Sequence, residues 1–335
     1  MSKLDFLAVG DITTDDFIKL EDVRIDTDKD PGDKGMEELC FRFGDKIEYA
    51  DHDIVAAVGN APNAGVSAHR LDLETGLNTN FGDDMVGEMN SKQLEKEGIN
   101  MDYVNIHEGK KSNYHYVLRH GPERTILVKH YDYDYKLPDF SEGEAPRFMY
   151  LSSLGENSFD HHIEIAEFAE NNDTKLAFQP GTFQIKMGYD KLTRLYEASY
   201  LYFSNKEEAQ LVLDNNTDDM EELLRDMHDH GPDIAVITDG PEGAYVFDGT
   251  EGWHMPMYPD PKPPVDRTGA GDSFSSTFTA ALALGKDIPT ALRWGPVNSM
   301  SVVQDIGAQA GLVSQEELLE HLENAPDDYE PKQIF

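Results

Sequence analysis

Cysteine is almost absent from this chain of 335 residues, and its single thiol, Cys40, excludes a disulfide within the chain. Disulfides are common in secreted proteins and rare in the reducing cytoplasm. Long hydrophobic runs are also missing, since no stretch approaches the roughly 18 consecutive apolar residues of a membrane-spanning helix. We therefore expect a cytoplasmic protein that is not inserted in a membrane. Hydrophobic residues still make up 39% of the chain, enough to build a core, which excludes global disorder.

Positive charge is scarce: 28 lysines and arginines stand against 65 aspartates and glutamates, which gives a net charge of −37. A surface this negative repels nucleic-acid phosphates and anionic lipids, so we expect neither nucleic-acid nor membrane partners. The acidity is typical either of a surface tuned for solubility or of a protein adapted to a salty cytoplasm, where charges are screened over about 3 Å at 1 M salt. The second interpretation predicts a melting temperature that rises between low and molar KCl.

From residue 147 onward, short apolar runs alternate with helix-like segments, the pattern of a parallel sheet covered by helices. The predicted strands lie at 148–151, 176–178, 200–203 and 234–238, and the predicted helices near 159–170, 206–213 and 218–229. Upstream, the patterns predict strands at 4–10 and 40–49 and a helix at 63–71. Two hairpin-like pieces, roughly 12–50 and 113–130, interrupt this order. We expect them to fold together as a small β layer beside the sheet, with residues 1–335 in one α/β domain.

The histidines do not have the spacing of a metal site. His161 and His162 are adjacent and do not share a helical face, while His228 and His230 end a charged helix, so we expect all four to face solvent. The aromatic stretch 131–135 is predicted to be a surface connector, with a place beside a ligand pocket as the alternative.

The most informative segment is 265–274, which precedes an apolar helix. Gly269 and Gly271 allow backbone torsions and close approach that side chains would block. With Ala270 and Asp272, they place main-chain amides at the helix start, where the helix dipole favours an anion. Asp272, at the edge of such an anion site, is a suitable base for a substrate hydroxyl. The alternative is a tight glycine turn with Asp272 as an ordinary helix-start residue.

Two other nucleotide-binding patterns are disfavoured. Phe274 occupies the position that a dinucleotide-binding G-x-G-x-x-G motif would need for its third glycine, and no G-x-x-x-x-G-K-[ST] loop occurs.

Residues 266–272, Asp-Arg-Thr-Gly-Ala-Gly-Asp, resemble the D-x-x-G-A-G-D signature of the PfkB/ribokinase family of carbohydrate and nucleoside kinases. Other segments resemble further motifs of that family in the same order: 58–63 its G-G-x-x-x-N substrate loop, 82–87 its G-x-D-x-x-G segment, 205–208 its N-x-x-E motif and 238–244 its T-x-G-x-x-G-A turn. The resemblance extends from about residue 4 to residue 325. Val58 replaces the first glycine of the substrate loop, and Thr13 stands where many members have Asn. Both departures bear on the identity of the sugar more than on the chemistry.

This resemblance implies a ribokinase-like three-layer sandwich with a mainly parallel central sheet and a small β lid made of the two hairpin-like pieces. It also implies transfer of the γ-phosphoryl group of ATP to a hydroxyl of a small acceptor. Asp272 would accept the hydroxyl proton, and the amides of Gly269, Ala270 and Gly271 would hold the phosphate being transferred. Such transfer needs positioning and charge neutralisation more than covalent help.

On the acceptor side, the resemblance implies binding by Asp15, Gly59, Asn60 and Asn63. The choice between Asp15 and its neighbour Asp16 stays open, since either could be the acid that binds a vicinal diol. Asn63 is equally suited to be the N-cap of the helix that follows it.

On the nucleotide side, the resemblance places Thr238, Gly240 and Gly243 along the phosphate and ribose, and Asn298 near adenine. Asn205 and Glu208 would order water around Mg²⁺, with Glu208 acting on the metal through water. The alternative for this pair is a capping box, with Asn205 as N-cap and Glu208 three residues on. Binding of K⁺ around the signature loop and residues 306–308 is compatible with the sequence.

The acceptor segments 10–16 and 58–63 contain no Lys or Arg, which favours a neutral sugar, such as ribose or fructose, or a nucleoside over a sugar phosphate. The basic residues of the second hairpin, among them Lys110, Arg119 and Arg124, could still reach the acceptor. A nucleoside kinase of the same family and an inactive sugar- or nucleotide-binding regulator are the alternatives. The β lid of ribokinase-like members also pairs two subunits, so we expect a homodimer.

Overall fold

Ten strands form the central sheet of the computed structural model, which describes residues 4–26, 38–121, 123–140 and 145–335. In chain order the strands are β1 (Phe6–Val9), β2 (Thr13–Lys19), β3 (Arg24–Asp26), β4 (Glu38–Cys40), β5 (Asp51–Val58), β6 (Thr75–Gly82), β7 (Val104–His107), β8 (Tyr114–His120), β9 (Glu123–Leu127), β10 (Phe148–Leu151), β11 (Lys175–Phe178), β12 (Ser199–Asn205), β13 (Ile234–Thr238), β14 (Ala244–Phe247), β15 (Gly252–Met255) and β16 (Lys332–Gln333). The α-helices are α1 (Asn60–Arg70), α2 (Met85–Lys96), α3 (Phe159–Asn172), α4 (Thr182–Met187), α5 (Tyr189–Glu197), α6 (Lys206–Leu213), α7 (Met220–Asp229), α8 (Ala270–Ala283), α9 (Ile288–Val302) and α10 (Gln315–Glu323).

The central sheet has the order β16-β15-β14-β13-β12-β11-β10-β1-β6-β7. The strands from β13 to β7 in this order all pair in parallel, whereas β14, β15 and β16 are antiparallel at one edge. Alternate residues of β1 enter two separate cores: Phe6 and Ala8 pack on one face, and Leu7 and Val9 on the other. Helices therefore cover both faces, which explains why β1, β10 and β13 are nearly continuous apolar runs. The predicted α/β class is confirmed. None of the helices in the described ranges combines the length and the apolar character needed to cross a membrane.

A second, four-stranded sheet has the order β5-β2-β8-β9, and we call it the small sheet. The predicted strand at 40–49 is wrong: β4 ends at Cys40, and the strand that pairs with β2 is β5. Residues 41–50 are exposed along most of their length, so their alternating pattern has no buried face to pack. The predicted hairpin-like piece at 113–130 contains the antiparallel pair β8 and β9.

Candidate active site

The carboxyl ends of the parallel strands all lie along the same side of the central sheet, which we call its carboxyl edge, and open α/β sheets bind ligands there. β1 is followed there by Asp11, and β11 by Gln179. β12 and β13 end at Asn205 and Thr238. The first turn of α8 reaches the same edge, because Gln179 donates a hydrogen bond from Nε2 to Oδ1 of Asp272 at 3.2 Å. Residues from distant parts of the chain therefore surround the start of α8.

Asp272 lies in the first turn of α8 and is nearly buried, and two asparagines hold its carboxylate. Asn60 donates from Nδ2 to Oδ1 at 2.7 Å, and Asn63 donates from Nδ2 to Oδ2 at 2.9 Å. The structure thus joins the predicted acceptor loop to the predicted base. Asn63 is not the N-cap of α1, because α1 begins three residues earlier, at Asn60, with Gly59 as its cap.

The environment of Asp272 changes its acidity. Burial raises the pKa of the Asp272 carboxyl, and the hydrogen bonds from Asn63, Asn60 and Gln179 oppose that rise. These three donors are neutral amides, which orient the carboxylate without neutralising it. A carboxylate with a raised pKa takes up a proton more readily than one in water, which is the property that a general base needs.

Gln179 is a site residue that the sequence reasoning missed. Its Oε1 accepts a hydrogen bond from the hydroxyl of the buried Tyr150, which leaves its Nε2 free to donate to Asp272. Tyr150 therefore fixes the orientation of the amide. The available signal was position, since Gln179 directly follows a predicted strand at the carboxyl edge.

The signature loop before α8 is fixed by a glycine and a carboxylate. Gly269 has φ +83°, and a Cβ at this position would lie 2.4 Å from Cβ of Ala308. Asp266 accepts from the amide of Thr268 at 3.0 Å through Oδ1 and from the amide of Gly307 at 3.1 Å through Oδ2. These contacts fix the loop next to the start of α8. The first amides of α8 have no acceptor within the helix, and they lie beside Asp272 in the same helical turn.

The space in front of these amides is open. A Cβ on Gly271 would meet Nε2 of Gln179 at 3.9 Å as its nearest neighbour. The amide of Ala270 makes only a long contact, 3.5 Å, to the carbonyl oxygen of Arg267. A helix start with an open approach and the positive end of the helix dipole suits the oxygens of a phosphate.

A cavity extends from the start of α8 toward β13 and β14. Its lining includes the predicted nucleotide-side residues Thr238, Gly240 and Gly243, together with Ala270 and Gly271. Further walls are mostly apolar, with Arg267 and Asp260 as charged groups, and are contributed by Pro241, Ala244, Met257, Tyr258, Pro264, Phe274, Pro296, Ser299, Met300 and Val303. The structure therefore brings three of the predicted nucleotide-side residues together beside the signature loop.

Asn298 is not brought to this cavity. It is fully buried, donates from Nδ2 to Oγ1 of Thr277 at 2.8 Å, and accepts from the amide of Val313 at 3.1 Å. The predicted place near adenine is corrected: the amide satisfies polar groups in the core, and other residues of α9 line the cavity.

Asn205 and Glu208 form the reciprocal capping box at the start of α6. Oδ1 of Asn205 accepts from the amide of Glu208 at 2.8 Å, and Oε2 of Glu208 accepts from the amide of Asn205 at 3.0 Å. Burial raises the pKa of the Glu208 carboxyl, and the negative charge of Asp272 raises it further. The pair is therefore a cap whose carboxylate also lies within electrostatic range of the predicted base.

The structure separates Asp15 from Asp16. Strand alternation puts Asp15, Phe17 and the paired Val55 on one face of the small sheet, and Phe17 and Val55 lie close to Gly307 beside the signature loop. We call this the inner face. Asp16 lies on the outer face, where its carboxylate accepts from the Tyr114 hydroxyl at 3.2 Å and lies 3.0 Å from Nδ1 of His52.

Asp11 and Tyr135 are further residues that the sequence reasoning missed at the acceptor side. The Tyr135 hydroxyl donates to Oδ1 of Asp11 at 2.9 Å and accepts from the amide of Gly155 at 3.1 Å. A Cβ on Gly59 would lie 2.7 Å from the carbonyl oxygen of Asp11, so Asp11 adjoins the acceptor loop directly. The stretch 131–135 thus lies beside the site, as the alternative had it.

His161 and His162 are buried, and their predicted exposure to solvent is wrong. His162 donates from Nδ1 to the carbonyl of Ser158 at 2.7 Å, and its Nε2 lies 3.3 Å from Nε2 of Gln184. Burial lowers the pKa of His162 to about 4. In the described ranges, no group of three or more His, Cys, Asp or Glu side chains is arranged to bind a metal ion.

Known proteins resemble this chain along most of its length. A family model described as pfkB family carbohydrate kinase matches residues 37–315. A ribokinase of Bacillus subtilis (strain 168) is 28% identical over 270 residues, which cover 79% of this chain and 87% of the relative. A nucleoside kinase of Methanothermobacter thermautotrophicus is 26% identical over 280 residues, which cover 82% and 86%. The solved structure of Arabidopsis thaliana ribokinase complexed with ribose and ATP matches with a TM-score of 0.78 at 18% identity, over 96% of this chain and 99% of that one. The predicted ribokinase-like fold is confirmed.

Proposed function

The chain belongs to the pfkB family of carbohydrate kinases, which are phosphotransferases with an alcohol group as acceptor, and we propose that it transfers the γ-phosphoryl group of ATP to a hydroxyl of a neutral sugar. The observation that carries this proposal is the position of the Asp272 carboxylate. It lies at the helix start suited to a phosphate, and residues of the acceptor loop hold it from the other side.

In the proposed reaction, the acceptor hydroxyl lies beside Asp272, and its proton passes to the Asp272 carboxylate as the oxygen attacks the γ-phosphorus. The new oxygen–phosphorus bond forms while the bond from the γ-phosphorus to the bridging oxygen breaks, so that ADP leaves with that electron pair. The amides of Gly269, Ala270 and Gly271 stabilise the charge on the equatorial oxygens. Burial of Asp272, which raises the pKa of its carboxyl, strengthens it as the proton acceptor.

We infer that ATP binds with Mg²⁺ and that Glu208 acts on the metal through water. The residues fit this group, because Glu208 and Asp272 are carboxylates whose charges interact across the site. Mg²⁺ keeps several of its waters and needs few protein ligands, which suits a carboxylate that is already held in a capping box. When bound, the ion would neutralise charge on the β- and γ-phosphates. Activation by K⁺ stays a prediction, and it is tested by measuring the rate of ADP formation after choline chloride replaces KCl. We also propose a cytoplasmic location, because an ATP-dependent reaction of this kind fits that compartment.

A neutral acceptor is supported by the charges around the acceptor loop. Asp11, Asp15 and Asp272 are all carboxylates, and an anionic acceptor would approach them against repulsion. A nucleoside acceptor is the second candidate within the family, supported by the similarity to the archaeal nucleoside kinase. An inactive regulator that binds a sugar or a nucleotide is the candidate from a different class.

The test is an acceptor screen in which ADP formation from Mg-ATP is measured with ribose, fructose, glucose, 2-keto-3-deoxygluconate, adenosine, cytidine and inositol. We expect a neutral sugar to raise the rate far above the acceptor-free rate. Stimulation by a nucleoside alone would support the second candidate. Binding of a sugar by calorimetry without any turnover would support the regulator and refute the kinase.

We also propose that the small sheet closes over the acceptor as a lid and that its outer face joins two copies of the chain. Ile54, Tyr116 and Leu127 share that outer face and are each 44–51% exposed. Light scattering should give a dimer for the native chain and a monomer for Leu127→Lys. The matched control is Leu211→Lys, at an exposed leucine on α6, which should stay dimeric. A monomeric native protein would refute this assembly.

A further inference from the structure

Two histidines complete the acceptor side of the site. His115 pairs with Asp15 in the parallel ladder of β2 and β8, so its side chain is on the inner face of the small sheet. Its Nδ1 lies 3.3 Å from Oδ1 of Asp15. The ring of His130 lies 5.1 Å from that of His115, centroid to centroid, and its Nδ1 lies 3.5 Å from Oδ2 of Asp11.

These groups form a wall that runs from the small sheet to the body of the protein. His130 contacts the ring of Phe183 on α4 at a centroid distance of 5.6 Å, and Asp11 adjoins Gly59 of the acceptor loop. The next residue, Asn60, holds Asp272. The histidines therefore lie next to the acceptor loop that contacts Asp272.

Several polar atoms of this wall are buried without a hydrogen-bond partner among the described residues. They are Nε2 of His115, Oδ1 of Asp15 and Nδ1 of His130. The last two face Nδ1 of His115 at 3.3 Å and Oδ2 of Asp11 at 3.5 Å, but not in hydrogen-bond geometry. Buried polar groups in proteins are almost always paired, and a group left unpaired costs free energy that a ligand can recover. Nε2 of His115 lacks any such neighbour, and Oδ1 of Asp15 and Nδ1 of His130 are held only loosely, so all three atoms can form hydrogen bonds to a bound ligand.

We propose that His115 and His130 are acceptor-binding residues and that, together with Asp11 and Asp15, they select an uncharged acceptor with several hydroxyl groups. The proposal rests on the kinase function proposed above. Carboxylates accept hydrogen bonds from hydroxyls. An imidazole N–H donates to a hydroxyl oxygen, and an unprotonated imidazole nitrogen accepts a hydrogen bond from a hydroxyl, so this set matches adjacent hydroxyls of a sugar.

The charged residues nearby support an uncharged acceptor. Two carboxylates face two imidazoles in this wall. Of the basic residues in and beside the second hairpin, Lys110 donates to the carbonyl of Asp132, and the guanidinium of Arg119 donates to the carbonyl of Val265. The ammonium of Lys129 lies 4.8 Å from the ring centroid of Tyr131. Arg124 lies 3.6 Å from Asp266 of the signature loop. These four cations are directed to other partners, so they do not compensate a negative charge on the acceptor.

The first test uses the two nitrogens of His115. Asn at this position keeps a polar group near Nδ1, which faces Asp15, whereas Gln keeps one near the buried Nε2. If Nε2 binds the acceptor, His115→Asn should raise the acceptor KM about 10- to 100-fold, while His115→Gln stays within about 5-fold of the native enzyme. In both variants the KM for ATP should stay unchanged. A residue that merely positions Asp15 would give the reverse order.

The matched control is His52→Asn. His52 also lies beside an aspartate, Asp16, but on the outer face of the same sheet. It should leave both KM values within about 2-fold of the native ones. A rise in acceptor KM for His52→Asn equal to that for His115→Asn would assign the effect to the small sheet as a whole and overturn the proposal.

The second test removes hydroxyls from the acceptor instead of the protein. Rates with D-ribose, D-fructose and adenosine are compared with rates for their monodeoxy analogues, in the native enzyme and in His115→Asn and His130→Gln. For the hydroxyl that a histidine binds, the loss caused by deoxygenation should be large in the native enzyme and small in the variant, since the two changes remove the same contact. Equal losses in native and variant enzymes for every analogue would overturn the proposal.

The outcomes also separate this inference from the proposed function. If the native enzyme consumes no ATP with any acceptor, the kinase function fails. If it is an active kinase and the acceptor KM of both His115→Asn and His130→Gln stays within 2-fold of native, the kinase function stands and the inference fails.

Discussion

Replacement of Asp272 by Asn tests the centre of the proposed reaction. The substitution removes the proton acceptor while it keeps the shape of the side chain. General bases contribute about 10²- to 10⁴-fold to rate, so kcat/KM should fall by that factor, which corresponds to about 2.7–5.4 kcal/mol of transition-state stabilisation.

The hydrogen bonds of Asp272 indicate how well the variant will fold. The new amide oxygen can accept from Asn60 and Gln179 in place of Oδ1, which leaves the new amide nitrogen facing Nδ2 of Asn63. That nitrogen cannot accept, and the unmade bond costs about 1–3 kcal/mol. Loss of a buried negative charge, whose cost is evident in the raised pKa of Asp272, acts in the opposite direction. We therefore expect a folded variant whose unfolding free energy changes by no more than about 2 kcal/mol.

The assay combines initial rates of ADP formation, calorimetric affinity for ATP and urea unfolding. ATP affinity should be retained, because the helix-start amides are unchanged. Asp16→Asn, which alters a carboxylate on the outer face of the small sheet, serves as the control and should keep native rates. A folded Asp272→Asn enzyme with kcat/KM within 10-fold of native would refute the role of Asp272 as the base.

Three further predictions concern the frame of the site. Gly269→Ala should lower the unfolding free energy by about 2–5 kcal/mol. The left-handed backbone costs about 1–2 kcal/mol for an alanine, and the clash with Ala308 costs about 1–3 kcal/mol. A loss below about 1 kcal/mol in urea unfolding would contradict this. Burial lowers the pKa of His162 to about 4 in the folded protein, whereas the unfolded chain protonates it near pH 6.5. Its contribution to the unfolding free energy is therefore complete above pH 6.5 and falls by about 3 kcal/mol as the pH drops to 4. His162→Gln should lack this part of the acid sensitivity, and native and variant curves of unfolding free energy against pH that run parallel would contradict the prediction. Arg124→Gln removes the partner of the buried Asp266 and should lower the unfolding free energy by about 1–3 kcal/mol, between the values for an exposed and a buried ion pair. It should also raise the acceptor KM, because the small sheet is held less firmly. An unchanged unfolding free energy together with an unchanged KM would show that the pair contributes to neither.

Sequence patterns predicted the elements whose burial is continuous. The predicted bounds of β10 and β13 coincide with the structure, because apolar runs with polar ends leave few alternatives. The predicted start of α1 was three residues late, since Pro62 is compatible with the first turn of a helix. The predicted strand at 40–49 failed because alternation without a covering layer does not produce a strand.

The candidate site divides in the same way. The signature loop could be found in the sequence because its glycines and Asp272 are contiguous. His115, His130 and Gln179 could not, since their importance depends on strand parity and on neighbours far away in the chain. Asn298 shows the opposite error: a polar residue on an apolar helix satisfies buried backbone and hydroxyl groups, which no local pattern distinguishes from a ligand contact.

Strand β2 has a consequence for how this protein can diverge. Asp15 and Asp16 are adjacent in the chain but belong to opposite faces of one strand, the first toward the proposed acceptor and the second toward the proposed subunit contact. Insertion or deletion of a single residue before them would exchange every side chain between those faces. A change of length in this strand would therefore disrupt the proposed acceptor contact and the proposed subunit contact together, whereas substitutions can alter either face alone. Residues 41–50 are exposed and outside any strand, so changes of length are better tolerated there.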